Sequence, residues 1–190
     1  MVLLGAFPVL LGRYAGSDDI VVGSPIAGRT RAEVEELIGL FVNTMVLRTD
    51  LAGDPAFREV LRRVRETTLG AFEHQHVPVE AVVRALAPDR SLSHAPLFQV
   101  MFVLQSGDGG LELPGVRTAR AGTGLQSAKL DLTLAFGPDQ GGLRGVLEYS
   151  TDLFDAATIR RMLGHLRQVL EQVSVDADLP VSHLDLLIGS

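Results

Sequence analysis

The spacing of the apolar residues changes between two periods along this chain. Residues 129–136 (KLDLTLAF) place leucine or phenylalanine at every second position, whereas the apolar residues of 156–173 recur every three or four positions. Alternation of period two is typical of a strand with one buried face, and the longer period is typical of a helix with one apolar stripe. Such a chain must therefore pack helices against a sheet.

Turn and capping residues divide the rest of the chain into further elements. Asp54 and Pro55 are typical of an N-cap followed by the first helical position, and Asp155 has the properties of a second N-cap. Residues 97–104 are apolar on both alternating faces, apart from Gln99. That pattern predicts a strand covered on both sides.

The order of the elements predicts the fold class. The predicted elements are an opening helix, strands over 17–27 and 41–49, helices from Asp54 to about Phe72 and from Pro78 to about Ala87, strands over 97–104, 129–136 and 143–150, and a helix after Asp155. This order predicts an α/β (α+β) two-layer sandwich with a mixed β-sheet and helices packed on one side.

The composition excludes several functional classes. The chain has no cysteine, which excludes a disulfide scaffold, a thiol nucleophile and a cysteine-based zinc site. Its 17 basic and 23 acidic residues give a net charge of −6, which argues against binding nucleic acid through bulk charge. The apolar run at residues 2–11 is too short to span a bilayer and follows no basic segment. We expect a cytoplasmic protein that binds neither membrane nor nucleic acid.

A few polar residues stand where apolar residues would be expected. Asn43 lies in a predicted strand between apolar neighbours, where an amide without partners would cost about 1–3 kcal/mol. It either pins a neighbouring loop or lines a substrate path, and the same two interpretations apply to Gln99. Lys129 and Asp131 share one strand face, where they either pair with each other or face solvent.

The histidines do not form a convincing metal site. His74 and His76, with Glu73 and Glu80 nearby, supply zinc-ligand chemistry, but residues two apart on a helix point to different sides. Capping or surface packing is the favoured interpretation, and we predict no metal site. The chain also lacks a P-loop, a G-x-G-x-x-G motif before a helix and a G-x-S-x-G elbow.

Several segments, taken in order, resemble the condensation domain of nonribosomal peptide synthetases. They are IGLFVNTMVLR (38–48), HQHVPVE (74–80) and RSLSHAPLFQVMF (90–102), supported by DDIVVGSPIAGR (18–29) and YSTDLFD (149–155). The resemblance extends from Met1 to about Leu187 and includes the separations between the segments. Val79 departs from it, because the family usually has Phe at that position.

The catalytic signature of that family, H-H-x-x-x-D-G, does not occur in this sequence. In the family it lies in the N-terminal half of the domain, so the chain resembles the C-terminal half alone. The resemblance implies a chloramphenicol-acetyltransferase-like fold, in which two similar halves enclose a tunnel. We expect residues 1–178 to form the C-terminal subdomain and residues 179–190 to form a tail leading toward a following domain.

The resemblance also implies chemistry and partners. In the family, carrier proteins bring phosphopantetheine-tethered aminoacyl and peptidyl thioesters to opposite tunnel mouths, and the acceptor amine attacks the donor thioester. The resemblance implies four candidates for the tunnel wall in this sequence: Asn43, Ser127, Lys129 and Asp131. Gln99 is a fifth candidate, because it is a polar residue in an otherwise apolar strand. None is a candidate catalytic group. We expect no directly bound cofactor, since phosphopantetheine would arrive on the carrier proteins.

We expect the isolated chain to form no peptide bond, because the catalytic histidine pair is absent. The implied partners are carrier proteins and the N-terminal half of the domain. Self-association is also expected, because the face toward that half would be unusually apolar. Two alternatives stay open: a non-catalytic module that binds carrier proteins, and one half of a split acyltransferase whose other half is a separate polypeptide.

Overall fold

The computed structural model describes residues 1–86, 96–105, 115, 128–139 and 141–186. Its strands are β1 (Asp19–Ile26), β2 (Asn43–Asp50), β3 (Val100–Leu104), β4 (Leu132–Asp139) and β5 (Gly142–Tyr149). They form one five-stranded sheet in the order β2-β1-β3-β4-β5. The two outer pairs, β1 with β2 and β4 with β5, are antiparallel, whereas β3 runs parallel to both β1 and β4. The sheet is therefore mixed, as predicted.

The helices form a second layer on one face of this sheet. They are α1 (Val2–Ala15), α2 (Phe57–Glu73), α3 (Val79–Leu86) and α4 (Ala156–Val175), with short 3₁₀ turns at Ala32–Val34 and Val181–His183. Helix α1 contacts α2, α4 and β1, so it lies at the centre of this layer. Of the helices in the described ranges, none is both long and apolar enough to cross a membrane.

Helix α1 is buried on all sides over nine consecutive residues, Leu4–Gly12. A helix that is apolar all round can be stable only where it is enclosed by other elements. The strands contribute alternate residues to the same core, for example the facing pairs Val22 with Leu47 and Phe102 with Leu134. The predicted two-layer sandwich with helices on one side is confirmed.

The opposite face of the sheet is only partly covered. In β3, Phe102 is buried in the core, whereas Met101 and Val103, which alternate onto the opposite face, are half-buried. Within the described residues, the predicted cover of this strand on both sides is therefore complete at Phe102 and only partial on the second face. The physical reason is that the helices of the described ranges lie on one face only, so the other face keeps contact with solvent.

Asp155 caps α4 as predicted, but Asp54 does not cap α2. The Asp155 carboxylate accepts the N–H of Thr158 at 2.6 Å. Asp54 instead has a left-handed backbone (φ 51°), and its carboxylate accepts the N–H and the hydroxyl of Ser182, at 2.8 and 2.7 Å. These bonds to Ser182 lower the pKa of Asp54.

The C-terminal segment explains why no side chain caps α2. The first N–H groups of α2, on Phe57 and Arg58, donate to the carbonyls of Leu179 and Ala177 at 3.0 and 2.8 Å. The free N–H groups at a helix start need such partners, and here the backbone of a distant segment supplies them. We call residues 177–186 the C-terminal strap.

The C-terminal strap is packed onto the body of the protein. Leu184 is 1% exposed and belongs to the core, and Arg13 donates to the carbonyls of Val181 and Ser182. Gln172 on α4 exchanges two hydrogen bonds with the backbone of Asp185. Residues 179–186 are thus part of the packed structure, and the further domain expected after them stays a prediction.

Leu184→Ala is expected to lower the free energy of unfolding by about 2–5 kcal/mol, because it removes a fully buried side chain and leaves a cavity under the C-terminal strap. Val175→Ala is the control, since Val175 is 88% exposed at the end of α4 and its truncation should change stability by about 0.5 kcal/mol or less. Urea unfolding of both variants makes the comparison. If Leu184→Ala lowers the free energy of unfolding as little as Val175→Ala does, the C-terminal strap does not complete the core.

Candidate functional site

An open pocket of about 450 Å³ lies beside the end of the β1–β2 pair. Its walls are formed by Gly28 and Thr30, by residues 41–44, and by residues of the α2–α3 connection and the start of α3, namely Gln75, His76, Pro78, Val79 and Glu80. We call it the hairpin-end pocket. The pocket brings together two of the segments that carry the family resemblance, around Asn43 and around His76.

Asn43 fixes the two walls of the hairpin-end pocket to each other. Its amide nitrogen donates to the carbonyls of Gln75 (2.9 Å) and Val77 (2.7 Å), and its oxygen accepts the N–H of Val79 (3.2 Å). Both N–H donors of the amide are thereby used within the protein. The loop-pinning interpretation of Asn43 agrees with these contacts, and the same residue also lines the pocket.

His76 and Glu80 bring titratable groups to the pocket wall. The sequence analysis considers them, together with His74, as metal ligands or as capping and surface residues, and does not place them at a pocket. His74 instead ends α2, where its Nδ1 lies 2.9 Å from the carbonyl oxygen of Gly70. Within the described ranges, no group of three or more histidine, aspartate or glutamate side chains is arranged to hold a metal ion.

Sequence reasoning missed the role of Arg29. Its guanidinium donates to the backbone carbonyls of Val34, Glu35 and Gly39 and lies over the ring of Phe41, 4.4 Å from the ring centroid. We call residues 30–41 the Arg29 loop. Because the partners are mostly backbone carbonyls, no side-chain pattern in the sequence indicates these bonds.

Gly28 is required where the two ends of the Arg29 loop meet. Its backbone is left-handed (φ +66°), and a Cβ at this position would collide with the carbonyl oxygen of Phe41. Only glycine allows this conformation and this approach without strain. Gly28 directly follows the predicted strand over 17–27, and in the structure it lines the hairpin-end pocket.

The surface next to the pocket carries unusually exposed apolar side chains. Leu37 is 52% exposed, Ile38 105%, Leu40 91% and Val42 56%. Several strongly exposed apolar side chains within six residues are typical of a contact with another protein segment.

The other candidate wall residues lie at the opposite end of the sheet. Asn43 on β2 lies opposite Ile26 on β1. Because Gly23 on β1 lies beside Met101 on β3, Ile26 is level with Leu104, which is five residues beyond Gln99. At roughly 3.3 Å per residue, this separates Asn43 from Gln99 by about 16 Å along the strands.

Gln99 and Asp131 are neighbours at their end of the sheet. The N–H of Asp131 donates to the carbonyl of Gln99 at 3.0 Å. Lys129 is exposed, and among the residues that the structure describes no ion pair joins it to Asp131. Ser127 lies outside the described residues. The structure therefore brings Gln99, Lys129 and Asp131 to one region and Asn43 to another.

Among the described residues, several carboxyl groups have a lowered pKa because an exposed arginine pairs with them. Hydrogen bonds from Arg62 and Arg63 lower the pKa of Glu59 to about 2. Arg48 lowers the pKa of Asp19, and Arg58 lowers that of Asp178. These exposed pairs support the fold modestly and have the character of structural contacts.

Comparison with known proteins gives consistent matches along the whole chain. A family model described as "Condensation domain" matches residues 1–188. One of the linear gramicidin synthase proteins of Brevibacillus parabrevis is 51% identical over 98% of this chain, which spans only 4% of that relative. All of this chain aligns with 42% of the X-domain solved in complex with OxyB from teicoplanin biosynthesis, at 35% identity and a TM-score of 0.86.

A second solved structure supports the same assignment. The four-domain nonribosomal peptide synthetase holo-AB3403, bound to AMP and glycine, matches 98% of this chain at 28% identity and a TM-score of 0.87, over 15% of its own length. These likenesses confirm the predicted chloramphenicol-acetyltransferase-like fold. The chain belongs to the condensation-domain family of nonribosomal peptide synthetases.

Proposed function

We propose that this chain forms the C-terminal wall of a reaction chamber in which a peptide bond is made between carrier-protein-tethered aminoacyl or peptidyl thioesters. The match of residues 1–188 to the condensation domain carries the proposal. Two facts support the division into halves. The H-H-x-x-x-D-G signature is absent from the sequence, and the chain covers less than half of the solved X-domain.

In this proposal the chain binds and positions substrates, and the N-terminal half of the domain supplies the catalytic histidine. That histidine would act as a general base or orient the acceptor amine while the amine attacks the donor thioester. Phosphopantetheine would enter on the carrier proteins and remain tethered to them. The setting is cytoplasmic, with no nucleic-acid or membrane partner.

The two separate groups of wall candidates fit a chamber with two entrances. Asn43 borders the hairpin-end pocket, whereas Gln99, Lys129 and Asp131 belong to the other end of the sheet. A donor and an acceptor that approach from opposite sides would each meet one of these groups. We assign no catalytic role to any of these residues.

A non-catalytic binding module is the second candidate function. The observation that favours it is the likeness to the X-domain, which was solved in complex with another protein, OxyB. In this case the chain would bind a carrier protein without taking part in bond formation. A split acyltransferase, with the other half on a separate polypeptide, would share the proposed chemistry.

The chain alone is expected to give no product when mixed with carrier proteins loaded with donor and acceptor aminoacyl thioesters. Loss of a general base by itself lowers the reaction rate roughly 10²–10⁴-fold. Mass spectrometry of the carrier proteins detects the dipeptidyl product. Addition of an N-terminal half that carries H-H-x-x-x-D-G, taken from a relative, should restore product formation.

The control for this experiment is the same half with its second signature histidine replaced by alanine, which should restore nothing. Turnover by the chain alone would contradict the proposal. Binding of carrier protein in an NMR titration, combined with no product from any mixture, would favour the non-catalytic module.

Asn43→Ala is expected to lower the free energy of unfolding by about 1–3 kcal/mol, because it leaves two carbonyls and one N–H of the α2–α3 connection without their partner. Gln75→Ala is the control, since within the described ranges its side chain donates only to the carbonyl of Phe72, and the loss should be about 0.5 kcal/mol or less. Urea unfolding measures both. Equal effects would refute the view that Asn43 joins the pocket walls.

We also propose that the isolated chain self-associates through the exposed apolar residues beside the pocket. Light scattering at increasing concentration should show a rising mean mass. The double variant Ile38→Ser with Leu40→Ser should suppress the rise, because among the described residues these two large apolar side chains are the most exposed. Val175→Ser, which changes an exposed valine on α4, should leave the rise unchanged. A wild-type chain that stays monomeric at every concentration would refute this proposal.

A further inference from the structure

Arg29 bonds to several parts of the Arg29 loop at the same time. Its guanidinium bonds the carbonyls of Val34 and Glu35 at the 3₁₀ turn and of Gly39 near the far end, and it stacks on Phe41. The five N–H donors of a planar guanidinium suit several carbonyls at once. One side chain thus connects the beginning, middle and end of the loop.

The Arg29 loop has little else to fix its shape. Over residues 30–42, all of which are described, no residue is buried, and only Val34 and Phe41 are half-buried. Its internal backbone bonds are confined to the short turn, where Val34, Glu35 and Leu37 donate to carbonyls three residues earlier. Within this chain alone, hydrophobic burial therefore does not order this segment.

The loop ends at the wall of the hairpin-end pocket. Gly28 and Phe41 both line the pocket, and they touch at the point where the loop opens and closes. The ring of Phe41 is the one on which Arg29 stacks. The position of this wall consequently depends on Arg29, whereas the facing wall depends on Asn43.

We propose that Arg29 is a positioning residue that preforms one wall of the hairpin-end pocket for the pantetheine-linked aminoacyl group of a substrate. The assignment of this ligand class rests on the proposed function. Arg29 contacts backbone and Phe41 and acts on the ligand through them. Preforming the wall removes the cost of ordering the loop at the moment of binding.

Lysine cannot replace Arg29 fully. A lysine ammonium keeps the charge and the contact with the Phe41 ring, but it is a compact point charge and cannot bond carbonyls from Val34 to Gly39 together. The loop exchange rate and the pocket affinity of Arg29→Lys should therefore lie between those of wild type and Arg29→Ala.

Arg31 provides the matched control, because it lies two residues away, is exposed, and makes no side-chain hydrogen bond within the described ranges.

Hydrogen exchange tests the effect on the loop directly. In Arg29→Ala the amides of Val34, Glu35 and Leu37 should exchange at least about tenfold faster, as expected from loss of a hydrogen bond to a charged group. Amides of α1 and the urea midpoint should stay unchanged, Arg29→Lys should be intermediate, and Arg31→Ala should match wild type. Equal loop exchange in wild type and Arg29→Ala would overturn the proposal, as would a wild-type loop that exchanges at the rate of unstructured peptide.

Binding of a probe tests the effect on the pocket. The probe is a hydrolysis-stable amide analogue of glycyl-pantetheine, titrated into each variant of the whole 190-residue chain and followed by NMR. Arg29→Ala should weaken binding by about tenfold or more, with partial rescue by Arg29→Lys and no change in Arg31→Ala. Equal affinity for wild type and Arg29→Ala would refute the positioning role. Failure of the probe to bind wild type would refute the ligand assignment and the proposed function at this pocket, while the exchange measurement still decides the role of Arg29 in the loop.

Discussion

Enclosure of α1 is the constraint on which the rest of the structure depends. Nine consecutive residues of this helix, including Pro8, are buried, so every side of it must be covered. The sheet covers one side, α2 and α4 cover two more, and the C-terminal strap reaches the last turn through Arg13. The elements are far apart in sequence, and burial of one apolar helix gives them a common reason to assemble.

The hairpin-end pocket is built in a different way from the core. Much of its wall is irregular chain at the ends of β1, β2, α2 and α3, and polar side chains fix it by bonding to backbone groups. Asn43 bonds the α2–α3 connection, and Arg29 bonds the loop that bears its name. Backbone groups without regular partners must be satisfied locally, and a single amide or guanidinium can satisfy several of them. The site is therefore ordered by hydrogen bonds, while the scaffold beneath it is ordered by apolar burial.

Sequence reasoning predicted the parts of the structure that depend on local periodicity. The strands around Leu132 and Leu134 and the helix after Asp155 follow directly from the spacing of their apolar residues. The role of Asp54 was misjudged because its true partner, Ser182, is distant in sequence and no local pattern reveals it. Arg29 was missed for a related reason, since carbonyl groups occur at every residue and leave no trace in the sequence. Asn43 was recognised as unusual because an amide interrupted an apolar strand, but the sequence could not decide between its two interpretations.

The C-terminal strap has a consequence for how this protein is made. Residues 1–176 are synthesised before the strap. During that interval the N–H groups at the start of α2 lack their native acceptors, and the core position that Leu184 fills is empty. The core can close only after residues 177–186 have left the exit tunnel, so native packing waits for synthesis of the strap. Interruption of translation just short of Leu184 would yield a polypeptide with nearly all of its secondary structure encoded and its interior still open to water.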